Sequence, residues 1–440
     1  MRSRLTATDR EIFGLAIPAL GALIAEPLYI LADTAIIGNI GTPELGGVGL
    51  ASQVILTALA MSLFLAYGTT SAVSRMLGAG RDRDAAHQAV QGLWIAVAVG
   101  AVFAVIAYAF APQLLRLLQA SPEVERFGVR YLRISVFGFP AMLFVLAGVG
   151  YLRGLKDTRR PLVVALVTAF GNLVLELILV FGFDLSVGAS ALSTVIWQWV
   201  AAAMYLRWIA RAANEQQVGW KPDPTTLRQL GRDGVDLFVR TSALRATFIV
   251  AAAYAATISD EALGAHEIAM QLFYFVALAL DAIAIAAQAM VGTLLGAKDP
   301  RQARHVGRRI TAWGLGLGAL ATLLLLAVRP WLPDLFTNDA RVIDETLAVL
   351  LLLGLMQPVA GVVFALDGIL IGAGDMRFLA QAMVASLVTF LATVALVIAV
   401  DGGLVVLWLA LIVFMVSRGA TLLWRLSGDR WLSAGDDRQR

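Results

Sequence analysis

The chain of 440 residues contains no cysteine, which excludes disulfide bonds and thiolate metal sites. Its three histidines, His87, His266 and His305, are scattered and form no helical ligand pair, so neither a bound metal nor metal catalysis is expected. A Walker-type phosphate loop is also missing, so any work the chain performs should be driven by an ion gradient or a partner and not by nucleotide hydrolysis in this chain. No set of nucleophile, base and orienting group falls at one depth, so an enzyme is not expected, and neither a cofactor nor a nucleic-acid partner is implied. Charge is scarce as well: 15% of residues are charged, 59% are hydrophobic, and the mean hydropathy is +0.80. Soluble domains carry about a quarter of their residues as charges. This composition belongs in lipid.

What the chain does have is apolar runs. A hydrocarbon core of roughly 30 Å takes about 20 helical residues, and such stretches fall near 12–38, 45–77, 90–111, 128–152, 161–181, 188–211, 233–258, 264–295, 309–329, 343–371, 377–400 and 403–426. These predict an all-α integral membrane protein of twelve spans, with little chain left for a soluble domain. Several spans are longer than the bilayer requires, and Pro18, Pro27, Pro140 and Pro358 interrupt their backbone hydrogen bonding. The N-terminal stretch leads into an apolar run too long for a signal peptide and is expected to stay in place. Of 34 Lys and Arg, 25 fall in the termini and the loops after even-numbered spans, and 6 in the loops after odd-numbered spans. Cytoplasmic loops retain Lys and Arg, so both termini are expected in the cytoplasm, with the protein in the inner (plasma) membrane. Trp208, Trp331 and Trp424 at predicted span ends suit the membrane interface.

The two halves repeat. A shift of 218 residues pairs Gln53 with Gln271, Leu77-Gly78-Ala79 with Leu295-Gly296-Ala297, His87 with His305, Pro112 with Pro330 and Pro140 with Pro358. It ends on Gly154, Asp157 and Arg159 against Gly372, Asp375 and Arg377. Matches among Pro, Gln, His, Asp and Arg are hard to obtain by chance in membrane helices. A shift carrying six crossings preserves orientation and gives parallel repeats. The expected organisation is an N-lobe over 1–210, a cytoplasmic linker over 211–232 and a C-lobe over 233–440. The basic linker, with Arg207, Arg211, Lys221, Arg228 and Arg232 around it, is explained by orientation and anionic lipid headgroups.

A carboxylate in the hydrocarbon centre costs about 2.5–3.5 kcal/mol on insertion scales, so such a residue usually faces a cavity or the bundle interior. Glu26, Tyr29 and Asp33 in the first span are spaced to share a face, and so are Asn172 and Glu176 in the fifth. Asp33 and Glu176 both lie roughly 9 Å below the outer end of their spans. Two such carboxylates cannot comfortably both ionise, and a proton or a sodium ion would relieve the repulsion. A plain interhelical hydrogen bond is the structural alternative. The shift of 218 puts Ala251, Phe390 and Val394 at the positions of Asp33, Asn172 and Glu176, so coupling chemistry is assigned to the N-lobe. The C-lobe instead offers Arg240, Arg245, Asp281 and Asp367. An Arg240–Asp281 ion pair, and an Asp367 wetted from the cytoplasmic end, are expected there.

The stretch PLYILADTAIIGNIGTPELGGVGLA resembles the first helix and following turn of the DinF subfamily of MATE (multidrug and toxic compound extrusion) exporters. YLRGLKDTRRP, GRDGVDLFVRTSALR and ALDAIAIAAQAMVGTLLGAKD resemble the same subfamily, and the similarity runs along nearly the whole chain. The resemblance implies two six-helix lobes forming a V and alternating access to a central cavity. It also implies an exporter, acting as a monomer, of small amphipathic or cationic compounds. Tyr29, Asp33, Asn172, Glu176 and Thr194 match a cation site of archaeal relatives, with Glu176 where Asp is expected and Leu146 and Val149 where polar amides are expected. Glu26, Arg240, Asp281 and Asp367 are secondary candidates for the substrate cavity. The family includes both proton- and sodium-coupled members. Proton coupling is expected here because the site has two carboxylates and few neutral oxygens. A lipid-linked oligosaccharide flippase of the same superfamily would have about fourteen helices and a more cationic cavity, and broken helices fit alternating access better than a passive channel.

Overall fold

The computed structural model describes residues 6–183 and 187–435. Among them, twelve helices are long and apolar enough to cross a membrane: α1 (Ala7–Gly38), α2 (Thr42–Gly78), α3 (Asp82–Ala109), α4 (Pro122–Gly154), α5 (Arg159–Val180), α6 (Val187–Glu215), α7 (Pro224–Ile258), α8 (Asp260–Gly296), α9 (Pro300–Val328), α10 (Ala340–Gly372), α11 (Met376–Ala399) and α12 (Leu404–Ser427). The largest departures from the predicted spans are at polar ends. α3 begins at Asp82 and α7 at Pro224 because charged turns continue a helix past its apolar part without any hydropathy signal.

Helix starts in the second half are set by short polar side chains. Ser259 accepts from the Ala262 amide at 3.0 Å, Asp299 from Gln302 at 3.0 Å and Asp339 from Arg341 at 2.9 Å, each satisfying one of the orphan donors of a first turn. Pro358 stays inside α10. It leaves the Gly354 carbonyl without its helical donor, and the Thr322 hydroxyl of α9 fills the place at 2.7 Å. Pro18 and Pro27 likewise sit within a continuous α1.

The chain divides into two compact units, Ile17–Gly234 and Met1–Ala16 with Val235–Arg440. In the first, the C-terminal half of α2 and α3 pack on the C-terminal half of α4; in the second, α8 and α9 pack on α10. The repeat is legible in these contacts atom by atom. A Cβ on Gly100 would lie 2.6 Å from the Pro140 Cα, and one on Gly318 2.8 Å from the Pro358 Cα. Gly150 meets the Ala66 carbonyl and Gly368 the Ala284 carbonyl; Gly46 meets Val124 and Gly264 meets Val342. All of these pairs are 218 residues apart. Backbones come this close only where no side chain intervenes.

The turns repeat too. Arg81 N donates to Met76 O at 2.9 Å and Asp299 N to Leu294 O at 3.0 Å; Asp157 N donates to Leu152 O at 2.8 Å and Asp375 N to Leu370 O at 3.0 Å. These are the six-to-one bonds of helix C-terminal turns. The left-handed residue that closes them is Gly80 (φ 68°) against Lys298 (58°), and Lys156 (59°) against Gly374 (78°). The backbone has kept the turn where the residue has changed.

Candidate functional site

The N-terminal half of the repeat buries an acidic cluster. Asp33 of α1 is 6% exposed, Asn172 of α5 is 5% and Glu176 is wholly buried. Helical spacing puts Asn172 and Glu176 one turn apart on one face of α5. The donors come from α6, where Ser190, Ser193 and Thr194 occupy one stripe. The Ser190 hydroxyl donates to Asp33 Oδ1 at 2.6 Å, and the Ser193 hydroxyl donates to Asn172 Oδ1 at 2.5 Å and to the Asn172 carbonyl at 3.0 Å. Asn172 Nδ2 donates to Thr194 Oγ1 at 3.3 Å, and the Tyr29 and Thr194 hydroxyls bond each other at 2.9 Å. The network therefore runs from Tyr29 through Thr194 and Asn172 to Ser193.

Glu176 adjoins Asp33 and Ser190. Neither of its oxygens has a hydrogen-bond partner of acceptable geometry among the described residues. Two carboxylates are acceptors only, so they cannot bond each other until one gains a proton. Tyr131 of α4, 4% exposed, stands beside the pair near Ser52 and Ser190. The predicted set of Tyr29, Asp33, Asn172, Glu176 and Thr194 is thus brought together. Glu26, one turn before Tyr29, is exposed and takes no part in this network. Ser190, Ser193 and Tyr131 were absent from the sequence expectation. The alternation of Ser and Thr on one stripe of α6 was the available signal, and serine is common enough in membrane helices to carry little weight alone. The short connection at 184–186, before α6, lies outside the described residues.

The second unit holds a different arrangement. Asp367 of α10 is 6% exposed rather than wetted. Arg240 was expected to pair with Asp281, but the structure gives it Asp367, with Nη2 to Oδ2 at 2.7 Å. Arg418 of α12 donates to the same oxygen at 2.6 Å. Its guanidinium also lies 5.6 Å from the centroid of Phe414. Asp281 is half-buried and is not free of interactions. Arg418 lies in the apolar interior of the last span, where its single charge carried no pattern to a partner in sequence. Among the described residues no group of His, Cys, Asp and Glu is assembled as a metal centre.

Twelve apolar spans in two repeated halves, with charged residues buried in each, define a multi-pass membrane transporter. The particular kind follows from comparison. The chain belongs to the MatE family, whose profile matches it twice, over residues 18–178 and 242–398, once in each repeat. It is 32% identical over 433 residues to Protein DETOXIFICATION 44, chloroplastic, of Arabidopsis thaliana, covering 94% of this chain and 82% of that one. It is 28% identical over 432 residues to DNA damage-inducible protein F of Escherichia coli (strain K12), covering 96% and 93%. In fold it is similar to the Vibrio cholerae MATE transporter VcmN in its bent form, with a TM-score of 0.89, 20% sequence identity and 98% of both chains covered. It is therefore a multidrug and toxic compound efflux transporter of the MATE family, handling small molecules, and not an enzyme.

Proposed function

We propose that the protein is a proton-coupled antiporter that exports lipophilic or cationic compounds, with Asp33 as the principal protonation site, Glu176 as its partner, and Tyr29, Asn172 and Thr194 positioning the pair. The observation that carries this reading is the buried neighbourhood of Asp33 and Glu176. Ser190 supplies one short bond to Asp33, while Glu176 has two buried oxygens without a donor of their own. One negative charge on the pair is accommodated by the hydroxyl; a second has nothing to stabilise it. Uptake of a proton neutralises the pair and removes the charge that attracts a cationic substrate. A tenfold difference in substrate affinity between the two states needs only about 1.4 kcal/mol.

Sodium is the second reading, and one observation favours it: Ser190, Ser193 and Tyr131 bring more neutral oxygens to this region than sequence suggested. Export from proteoliposomes under separately imposed pH and sodium gradients distinguishes the two. Asp33→Asn should fold normally and lose gradient-driven export, and Glu176→Gln should be impaired less. Full export by Asp33→Asn at every pH, or wild-type transport that needs sodium and ignores the pH gradient, would end the proton reading. The 25 to 6 division of Lys and Arg supports cytoplasmic termini. Reporters fused after Arg81, Arg159, Lys221 and Arg304 should then read as cytoplasmic, and those after Glu44 or Asp260 as external.

A further inference from the structure

The first turn of α1 contains a carboxylate that the acidic cluster does not use. Asp9 is completely buried. Thr6 and Asp9 cap the helix reciprocally: the Asp9 amide donates to Thr6 Oγ1 at 3.2 Å, while the Thr6 amide and hydroxyl each donate to Asp9 Oδ2 at 2.8 Å. A cap would need nothing more. Yet Asp9 also takes a two-pronged grip from Arg309 of α9, with Nε to Oδ1 at 2.7 Å and Nη2 to Oδ2 at 2.9 Å, and the Trp313 indole donates to Oδ1 at 2.7 Å. Phe13 closes the arrangement edge-on against Trp313, with centroids 4.6 Å apart. Arg309 and Trp313 are one turn apart on α9, so both grip from one face. These partners are some 300 residues away from Asp9 in the chain.

The place of this clasp on α1 matters. Met1–Ala16 belong to the unit that contains α9, and Ile17 onward belongs to the other unit, although α1 is continuous from Ala7 to Gly38. The division falls one residue before Pro18, whose missing amide leaves the Gly14 carbonyl without its helical donor. Pro27 provides a second such point. Both prolines lie between Asp9 and Asp33 in the chain. One continuous helix therefore carries the clasp at its start, the proposed coupling carboxylate further along, and two weakened positions between them.

We propose that Asp9, Arg309 and Trp313 are positioning residues for transport: their clasp holds the first turn of α1 on α9 in one state of the cycle and releases it in another. A buried carboxylate with five donors has two favourable conditions, fully gripped or fully hydrated, and a half-open clasp is poor in both. That makes it a two-position element rather than a spring. Arg309 is 44% exposed in its side chain, so its guanidinium is already in partial contact with water when the clasp opens. Charge change at Asp33 biases the clasp through the helix the two share, a link that rests on the function proposed above.

The absence of native cysteine allows spin labels to be placed without background. Arg10→Cys and Arg308→Cys, both exposed, report the separation of α1 and α9 in nanodiscs. The labelled protein should show a short and a longer distance, with ethidium as the probe ligand changing their ratio. Asp9→Asn should show the longer distance alone and lose export by about tenfold or more, and the exchange Asp9→Arg with Arg309→Asp should recover part of both. A single short distance with and without ethidium would overturn the proposal, as would Asp9→Asn exporting at the wild-type rate. The wild-type distances decide the matter even if Asp9→Asn fails to fold. Adding Asp33→Asn to the labelled protein separates the two readings: an unchanged ratio refutes the link to Asp33, whereas loss of clasp motion in the wild type refutes the clasp itself.

Discussion

Removing the Ser190 hydroxyl should reveal the charge state of Asp33. The hydroxyl is buried and donates to Asp33 Oδ1 at 2.6 Å. A hydrogen bond to a charged group is worth about 1.5–3 kcal/mol and one between neutral groups about 0.5–1.5 kcal/mol. Ser190→Ala should therefore cost about 2 kcal/mol in a protein with ionised Asp33, and about 1 kcal/mol in an Asp33→Asn background. The difference, about 1 kcal/mol, is the interaction energy of the pair and exceeds the additivity error of about 0.3–0.5 kcal/mol for independent sites. Equilibrium unfolding by SDS in mixed micelles at neutral pH, on wild type, both single variants and the double variant, measures it. Because the expected coupling arises from charge, it should shrink as the pH is lowered far enough to protonate the pair. Additive costs at neutral pH would mean that Ser190 does not bond an ionised Asp33. The account of one negative charge held between Asp33 and Glu176 would then fail.

Three further outcomes test the fold and the second unit. Gly100→Ala and Gly318→Ala should each destabilise by at least about 1–3 kcal/mol, since the new methyl meets backbone. Gly49→Ala and Gly316→Ala, with open space around them, should be neutral or stabilising by about 0.5–1 kcal/mol; thermal melts in detergent compare all four. Lys298→Gly and Lys156→Gly relieve left-handed residues and should raise stability by up to about 1 kcal/mol each in the same melts, whereas Gly80→Ala and Gly374→Ala should lower it. Asp367→Asn should cost about 3–5 kcal/mol in SDS unfolding because it leaves the buried guanidiniums of Arg240 and Arg418 without their carboxylate, and Arg418→Met should cost less, since Asp367 keeps Arg240.

Much of this was legible in sequence because lipid imposes one requirement on every span: enough consecutive apolar residues, with backbone bonds satisfied internally. That requirement located the twelve helices, and the ungapped shift located the repeat. The carboxylates Asp33 and Glu176 stood out because charge is rare in such helices. Ser190 and Ser193 did not, since a hydroxyl in a membrane helix can bond its own preceding carbonyl, as Thr70 and Thr168 do here at 2.8 Å. The pairing of Arg240 with Asp367 was not foreseen for a different reason. Helical spacing says which residues share a face of one helix, and it says nothing about which acids on neighbouring helices come within reach. The Asp9 clasp was hidden in the same way, as its cap could be read locally and its partners on α9 could not.

The repeat shows what duplication kept and what it released. Glycines at 100 and 318, at 150 and 368, and at 46 and 264 still meet equivalent neighbours, and the left-handed turns at 80 and 298 and at 156 and 374 survive a Gly-to-Lys difference in each pair. Packing of helix on helix tolerates little change at 100 and 318 and at 150 and 368, because a single added methyl there strikes backbone. The polar interiors were under no such constraint and have diverged in opposite senses. Asp33 has a hydroxyl and a second acid as neighbours, so in the function proposed above its charge would be met by an ion taken from water. Asp367 has two guanidiniums on one oxygen, so its charge is already answered within the protein. An acid free to exchange its counter-ion suits the proposed coupling step, whereas an acid already paired with two arginines does not. On this argument the two halves differ in a few buried side chains on a scaffold whose close packing they share.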